Sequence, residues 1–234
     1  MKKIFSFFSK RLFPILLVSL ISSQLVYAQN TLPRLKKHGT ATQLIVHGKP
    51  FLMLGGELGN SSASDLQYMK PIWKKLKAMH LNTILMPVYW ELIEPEEGKF
   101  DFTLVDNLIS AARKNDIKIV VLWFATWKNS MSCYAPYWVK TNQERFPRAR
   151  TKSGVALEIL TPFSDENKNA DARAFAKFMK HLRLIDEKQN TVVMIQVENE
   201  IGMIPDATCM HVCRARGGIT PEWIQYAFAH RGAA

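Results

Sequence analysis

The sequence predicts an α/β fold, a parallel sheet wound as a (β/α)8 TIM barrel, on three observations. Short apolar runs alternate with stretches of helical periodicity at intervals of roughly 30 or more residues, the rhythm of parallel strands joined by crossover helices. No GxGxxG or phosphate-loop motif follows any run, and Gly55-Gly56 lacks the third glycine, which disfavours the competing doubly wound, nucleotide-binding sheet. Polar and aromatic residues instead gather directly after the runs, at 55–60, 89–94, 126–134 and 198–202. Barrel active sites lie at that C-terminal face of the sheet.

The elements follow in order. Beyond a polar leader at 29–42, residues 43–54 read as a hairpin, with Leu44-Ile45-Val46, a turn at His47-Gly48-Lys49, and Phe51-Leu52-Met53-Leu54. Residues 65–79 place Leu66, Met69, Ile72/Trp73, Leu76 and Met79 on one helical stripe. Residues 82–88 form a short apolar run. Residues 103–115 are helical again, with Leu104, Leu108 and Ala111/Ala112 on one face. Residues 117–124 (IKIVVLWF) are nearly all apolar, as a parallel strand covered on both faces must be. Ser164-Asp165-Glu166 caps a third helix whose stripe is Phe175, Phe178/Met179, Leu182 and Ile185. Residues 191–197 are the fourth apolar run.

A barrel needs eight strands and about 250 residues. Four strands are visible here, so the barrel reads as truncated after about four βα units. Residues 207–234 hold two of the three cysteines and lack an apolar strand, which marks them as an atypical tail, truncated or out of frame.

Residues 1–28 read as a signal peptide: a basic n-region with Lys2, Lys3, Lys10 and Arg11, an apolar stretch at 12–21, and a small residue at Ala28. That stretch is too short to cross about 30 Å of hydrocarbon, so the expectation is export to the periplasm, outer surface or medium, with no membrane span after cleavage. Net charge is +11, which raises nucleic acid as a partner. Part of it lies in the leader, however, and Arg145, Arg148, Arg150 and Lys152 share one segment without a base-reading motif, read as a solvated loop. No nucleic-acid role is expected. Cys133, Cys209 and Cys213 give neither a disulfide framework nor CxxC spacing, so no metal site is expected.

The strongest motif is Gln196-Val197-Glu198-Asn199-Glu200-Ile201-Gly202, which closes the fourth apolar run. Glycosidic hydrolysis needs two carboxyl groups, one protonating the leaving oxygen; in retaining enzymes the other attacks the anomeric carbon from about 5–5.5 Å away. A glutamate at the end of a strand is held by the sheet yet faces a cleft, and a neighbouring asparagine can bond a sugar hydroxyl. The competing account, a solvated loop, fits poorly with three polar residues breaking an apolar strand.

Residues 196–202 closely resemble the fourth-strand signature of glycoside hydrolase family 35, the β-galactosidases of clan A. Residues 90–102 (WELIEPEEGKFDF) are similar to the second-strand block shared by families 35 and 42, and residues 55–64 (GGELGNSSAS) resemble a Bacteroidetes-type branch. The resemblance runs from about Leu44 to Pro205. It implies that Glu200 is the general acid/base and Asn199 the contact to the sugar 2-hydroxyl. Glu198 is either a further substrate contact or a barrel-interior carboxylate paired with a basic or amide side chain. The family nucleophile, a glutamate after the seventh strand, has no counterpart, and Glu222 lacks the spacing to replace it. Where the family pattern reads Tyr-Val-Pro-Trp-Asn, this chain has Pro87-Val88-Tyr89-Trp90-Glu91, so the family tyrosine that contacts the sugar is not at the matching position, and the resemblance implies galactose or a related sugar without fixing galactose.

Trp90, Glu57, Asn60, Trp127 and Asn129 complete the expected substrate contacts. Trp127, Asn129 and Tyr134 are read as a sugar platform, with Trp123 and Phe124 in the core and Glu94 closing the turn before Pro95. The expected function is a retaining glycoside hydrolase of β-galactosidase type, acting on an oligosaccharide or polysaccharide without a cofactor, and impaired in this chain because the nucleophile is missing. The alternative is a non-catalytic carbohydrate-binding half-barrel.

Overall fold

The computed structural model describes residues 32–129 and 131–200. The expected signal peptide, Ile201, Gly202, the expected atypical tail, Cys209, Cys213 and Glu222 therefore lie outside the described residues. The chain divides after Leu52 into two compact units.

The first unit contains a three-stranded antiparallel meander, β1 (Arg34–His38), β2 (Ala41–Val46) and β3 (Lys49–Pro50), in that order. The turn between β2 and β3 falls at His47-Gly48, both with positive φ (49° and 76°), the backbone that two-residue hairpins require. Strand β1 lies in what reads as polar leader. Its sequence RLKKH is exposed throughout, so it carries no apolar alternation to betray a strand.

The second unit is built on a four-stranded parallel sheet of β4 (Gly55–Glu57), β5 (Thr83–Tyr89), β6 (Lys118–Lys128) and β9 (Val192–Asn199), in that spatial order. Each strand adds beside its predecessor with no reversal of order, as in a barrel wall; a doubly wound sheet would reverse at a switch point. Helix α1 (Leu66–Ala78) starts on Asp65, whose side chain accepts the Tyr68 N–H at 2.6 Å. It buries Met69, Trp73 and Leu76, while Leu66 and Met79, the ends of the expected stripe, are exposed. A single turn, α2 (Trp90–Ile93), follows β5, and α3 (Thr103–Lys114) buries Val105, Leu108, Ile109 and Ala112. After β6 comes the short α4 (Tyr137–Lys140), then an antiparallel hairpin of β7 (Arg148–Arg150) and β8 (Ala156–Leu160). Helix α5 (Asp165–Asp186) is capped by Ser164, which accepts the Asn167 N–H at 3.3 Å, with Asp165 and Glu166 suited to the positive end of its dipole.

Two expectations need correction. Strand β6 continues to Lys128, four residues beyond the apolar run, and every residue after Lys118 is buried. The basic segment read as a solvated loop holds the β7–β8 hairpin, which covers Trp127 through Ala149, Leu157 and Ile159. The main core lies where α1, α3 and α5 close on the sheet. Trp123 and Phe124 are fully buried there as expected, with Trp123 stacked on Phe178 at 5.7 Å between ring centroids. No helix among the described residues is long and apolar enough to cross a membrane.

Candidate active site

The site begins with a break in the ladder. Trp123 pairs with Val197, and regular register would bring Ala125 opposite Asn199, but it is Lys128 that pairs there. The backbone groups of the looped-out residues lose their ladder partners, and buried N–H groups must find others. Asp171 Oδ2 accepts the Thr126 N–H at 3.0 Å, and Glu198 Oε2 accepts the Trp127 N–H at 2.8 Å. Asp171 Oδ1 takes the Trp123 indole N–H at 2.9 Å. The Thr126 carbonyl receives the Ser132 hydroxyl at 2.6 Å, and Ser132 Oγ in turn accepts the Leu160 N–H at 2.8 Å. Side chains from α5, from β9 and from the start of the next loop thus hold the bulge open.

Glu198 and Asp171 are both buried and hydrogen-bond each other. Burial, and then the adjacent Asp171 charge, push the Glu198 carboxyl well above the usual carboxylate range; the Trp127 N–H opposes this without reversing it. Both causes favour the protonated form of Glu198, whose O–H can donate a hydrogen bond to Asp171. Glu198 is therefore interior, but its side-chain partner is a second acid, Asp171, where the sequence reading expected a basic or amide side chain.

Glu198 and Glu200 should share one face of a strand, since side chains repeat every second residue. They do not. Glu198 is 5% exposed, whereas the Glu200 side chain is 61% exposed. Both residues have left-handed backbone, φ +60° and +53°, a conformation that costs a non-glycine residue roughly 1 kcal/mol or more. That backbone breaks the alternation at the strand end. It separates an inward carboxyl, built into the scaffold, from an outward one available to a ligand.

Lys128 lies between them. Its side chain is 6% exposed, and its Nζ donates to Asn199 Oδ1 at 2.7 Å and to Asn129 Oδ1. The same ammonium stands 4.0 Å from Glu200 Oε2 and 4.8 Å from the centre of the Phe124 ring. Lys128, Asn129, Asn199 and Glu200 therefore form one polar cluster at the C-terminal ends of β6 and β9.

The other expected contacts divide. Asn129 is exposed beside Lys128, again with left-handed backbone (φ +52°). Glu57 and Asn60 are exposed at and just beyond the end of β4; no hydrogen bond or ion pair among the described residues joins them to the Lys128 cluster. Trp90 is corrected: it has no exposed surface, and its indole N–H donates to Glu94 Oε2 at 2.7 Å, so no face is open to a sugar. Trp127 is corrected also. It is 3% exposed, because the β7–β8 hairpin that the sequence reading missed lies over its ring. Tyr134 packs against Tyr89 and Phe124 at 5.3 and 5.2 Å between centroids. Glu94 closes its turn as expected, accepting the Gly98 N–H at 2.7 Å as well as the Trp90 indole.

Two residues of the site escaped sequence reasoning. Asp171 carried a signal: it stands four residues before Phe175, on the backward extension of the buried stripe Phe175–Phe178–Leu182, where a carboxylate is out of place. Lys128 carried a weaker one, as a lysine directly continuing an apolar strand.

The family model described as glycosyl hydrolases family 35 matches residues 43–225. A β-galactosidase of Xanthomonas manihotis is 37% identical over 177 residues, covering 70% of this chain and 26% of its own length. The human protein named β-galactosidase-1-like protein 3 is 28% identical over 203 residues, covering 77% of this chain and 28% of its own length. The chain thus spans about a quarter of the length of these relatives. Among solved structures, the exo-β-1,4-mannosidase Op5Man5 from Opitutaceae bacterium strain TAV5 superposes with a TM-score of 0.54 at 18% identity, covering 78% of this chain and 30% of that one. A β-galactosidase from the psychrophilic Marinomonas ef1 gives 0.54 at 14% identity, covering 78% and 28%. These two establish the fold as that of the TIM-barrel glycosidases. With its second- and fourth-strand motifs inside the matched span, the chain belongs to glycosyl hydrolases family 35.

Proposed function

We propose that this chain carries the acid/base part of a retaining glycosidase site of β-galactosidase type, with Glu200 as the proton donor and Asn199 as the contact to the sugar 2-hydroxyl. The observation that carries this reading is the divided fate of the two motif glutamates. Glu198 is buried and bonded to Asp171 and Trp127, which leaves Glu200 as the carboxyl of the motif that a glycosidic oxygen can reach.

In this reading Glu200 protonates the departing oxygen, then takes a proton from the water that releases the sugar. Asn199, held by Lys128, bonds the 2-hydroxyl, a contact that strengthens as the anomeric carbon gains charge. Asn129, Glu57 and Asn60 supply polar groups at the rim. The covalent step needs a second carboxylate, which family resemblance puts after a seventh strand; the described parallel sheet ends with its fourth. We expect this chain alone to bind a β-galactoside without turning it over, and to be exported through residues 1–28.

A chromogenic β-galactoside tests the reading. Binding without release of the chromophore fits it. Hydrolysis abolished by Glu200→Gln would keep the acid/base assignment and overturn the missing nucleophile, whereas hydrolysis that survives Glu200→Gln would overturn the assignment itself.

A further inference from the structure

Lys128 neither touches the sugar nor moves a proton in the chemistry above, yet its placement is costly. A lysine side chain this enclosed persists only with compensation. Here the compensation is concentrated on one side: the Phe124 ring at 4.8 Å, Asn129 Oδ1, Asn199 Oδ1 at 2.7 Å and Glu200 Oε2 at 4.0 Å. Every polar partner among the described residues belongs to the strand ends that carry the candidate sugar contacts. The bulge brings it there, since unbroken register would place Ala125 beside Asn199.

We propose that Lys128 is a positioning residue that sets the hydrogen-bonding sense of Asn199, and through it the kind of group accepted at C2 of the bound sugar. This deepens the galactosidase reading and rests on it. An ammonium has three donors and no acceptor. Asn199 must therefore turn its carbonyl oxygen toward Lys128, because the flipped amide would set NH2 against NH3+. With Oδ1 turned to Lys128, Asn199 presents its NH2 donors to the cleft. A 2-hydroxyl can accept from them. A 2-deoxy sugar leaves them unanswered, and a protonated 2-amino sugar meets donor with donor beside a like charge. The site therefore selects sugars bearing a neutral oxygen acceptor at C2.

Two measurements on the full chain decide this. The first is the spectroscopic signature of the Asn199 side-chain amide in nitrogen-15-labelled chain without sugar. Lys128→Met removes the donor and should shift and broaden that resonance pair, while Lys128→Arg, which keeps a donor, restores it; an unmoved Asn199 amide in Lys128→Met overturns the proposal. The second is calorimetric titration with methyl β-galactoside and its 2-deoxy analogue. Wild type should prefer the 2-hydroxyl sugar by about tenfold, the scale of an unanswered polar group. Lys128→Met should erase that preference and Lys128→Arg should recover it. A preference that persists in Lys128→Met overturns the proposal. If wild type binds neither sugar, the galactosidase reading fails and the amide signature alone decides the positioning claim. If Lys128→Met does not fold, the decision passes to wild type and Lys128→Arg: both must show the 2-hydroxyl preference, and its absence from either overturns the proposal.

Discussion

The Trp127 backbone N–H donates to Glu198 Oε2 at 2.8 Å, across the gap where the β6–β9 ladder is broken. A glutamate from the chemical motif is thus a structural member of the sheet, and its titration is tied to folding. Because its carboxyl titrates higher in the folded chain than in the unfolded one, the folded state binds the extra proton. The stability this group contributes is fully present below the unfolded carboxylate range and is lost as pH rises toward and through the raised folded value. Wild type should lose urea resistance as pH rises above the usual carboxylate range. Glu198→Gln, which cannot ionise, should remove that part of the slope. Equal slopes for both proteins would mean that Glu198 does not hold its proton.

Asp171 accepts from both the Trp123 indole and the Thr126 backbone while pairing with Glu198. Asp171→Ala strands two buried N–H donors and removes the partner of Glu198, at about 1–3 kcal/mol for each unsatisfied group. A loss of roughly 3 kcal/mol or more is expected by denaturant unfolding, with a change in Trp123 fluorescence. Asp171→Asn keeps one acceptor and should cost less. A loss below about 1 kcal/mol for the alanine variant would remove Asp171 from the scaffold of the site.

Glu94 is a further buried acidic residue, and its carboxyl partners are local: the Trp90 indole and the Gly98 N–H, both at 2.7 Å. Glu94→Ala should destabilise by about 2–4 kcal/mol, since both donors lose their acceptor in a dry site. Gly98 has φ +77° with open space around its Cβ position, so Gly98→Ala should cost only about 1 kcal/mol, from backbone strain alone. Thermal melts of the two variants check both figures, and a larger loss at Gly98 than at Glu94 would contradict this ordering.

Glu200 is exposed, with Lys128 as an ion-pair partner at 4.0 Å. Such a pair, with one member in solvent, contributes little to folding. Glu200→Gln should therefore change stability by no more than about 0.5 kcal/mol. A large destabilisation in equilibrium unfolding would show that Glu200 serves the fold.

Much of this architecture was legible from periodicity. The continuous apolar run at 117–124 and the stripe from Phe175 to Leu182 led directly to β6 and α5, because burial on both sheet faces or on one helix face leaves a regular pattern. Strands β1, β7 and β8 left none: RLKKH is exposed throughout, and RAR is too short to show alternation. The motif drew attention to Glu198, Asn199 and Glu200 together, but adjacency could not assign them to different environments. Their separation comes from left-handed backbone at two glutamates and from a register break opposite them, both set by tertiary contacts. The failures at Trp90 and Trp127 have a related cause. An aromatic beside polar neighbours looks exposed in sequence, and only the Glu94 carboxylate and the β7–β8 hairpin show what encloses each ring.

The central claim, that Glu200 rather than Glu198 is the carboxyl presented to substrate, is tested most directly by carbon-13 NMR of the glutamate side-chain carboxyls during titration with a β-galactoside. The Glu200 resonance should move as the sugar binds while that of Glu198 stays in place. A moving Glu198 signal beside a stationary Glu200 would contradict the account.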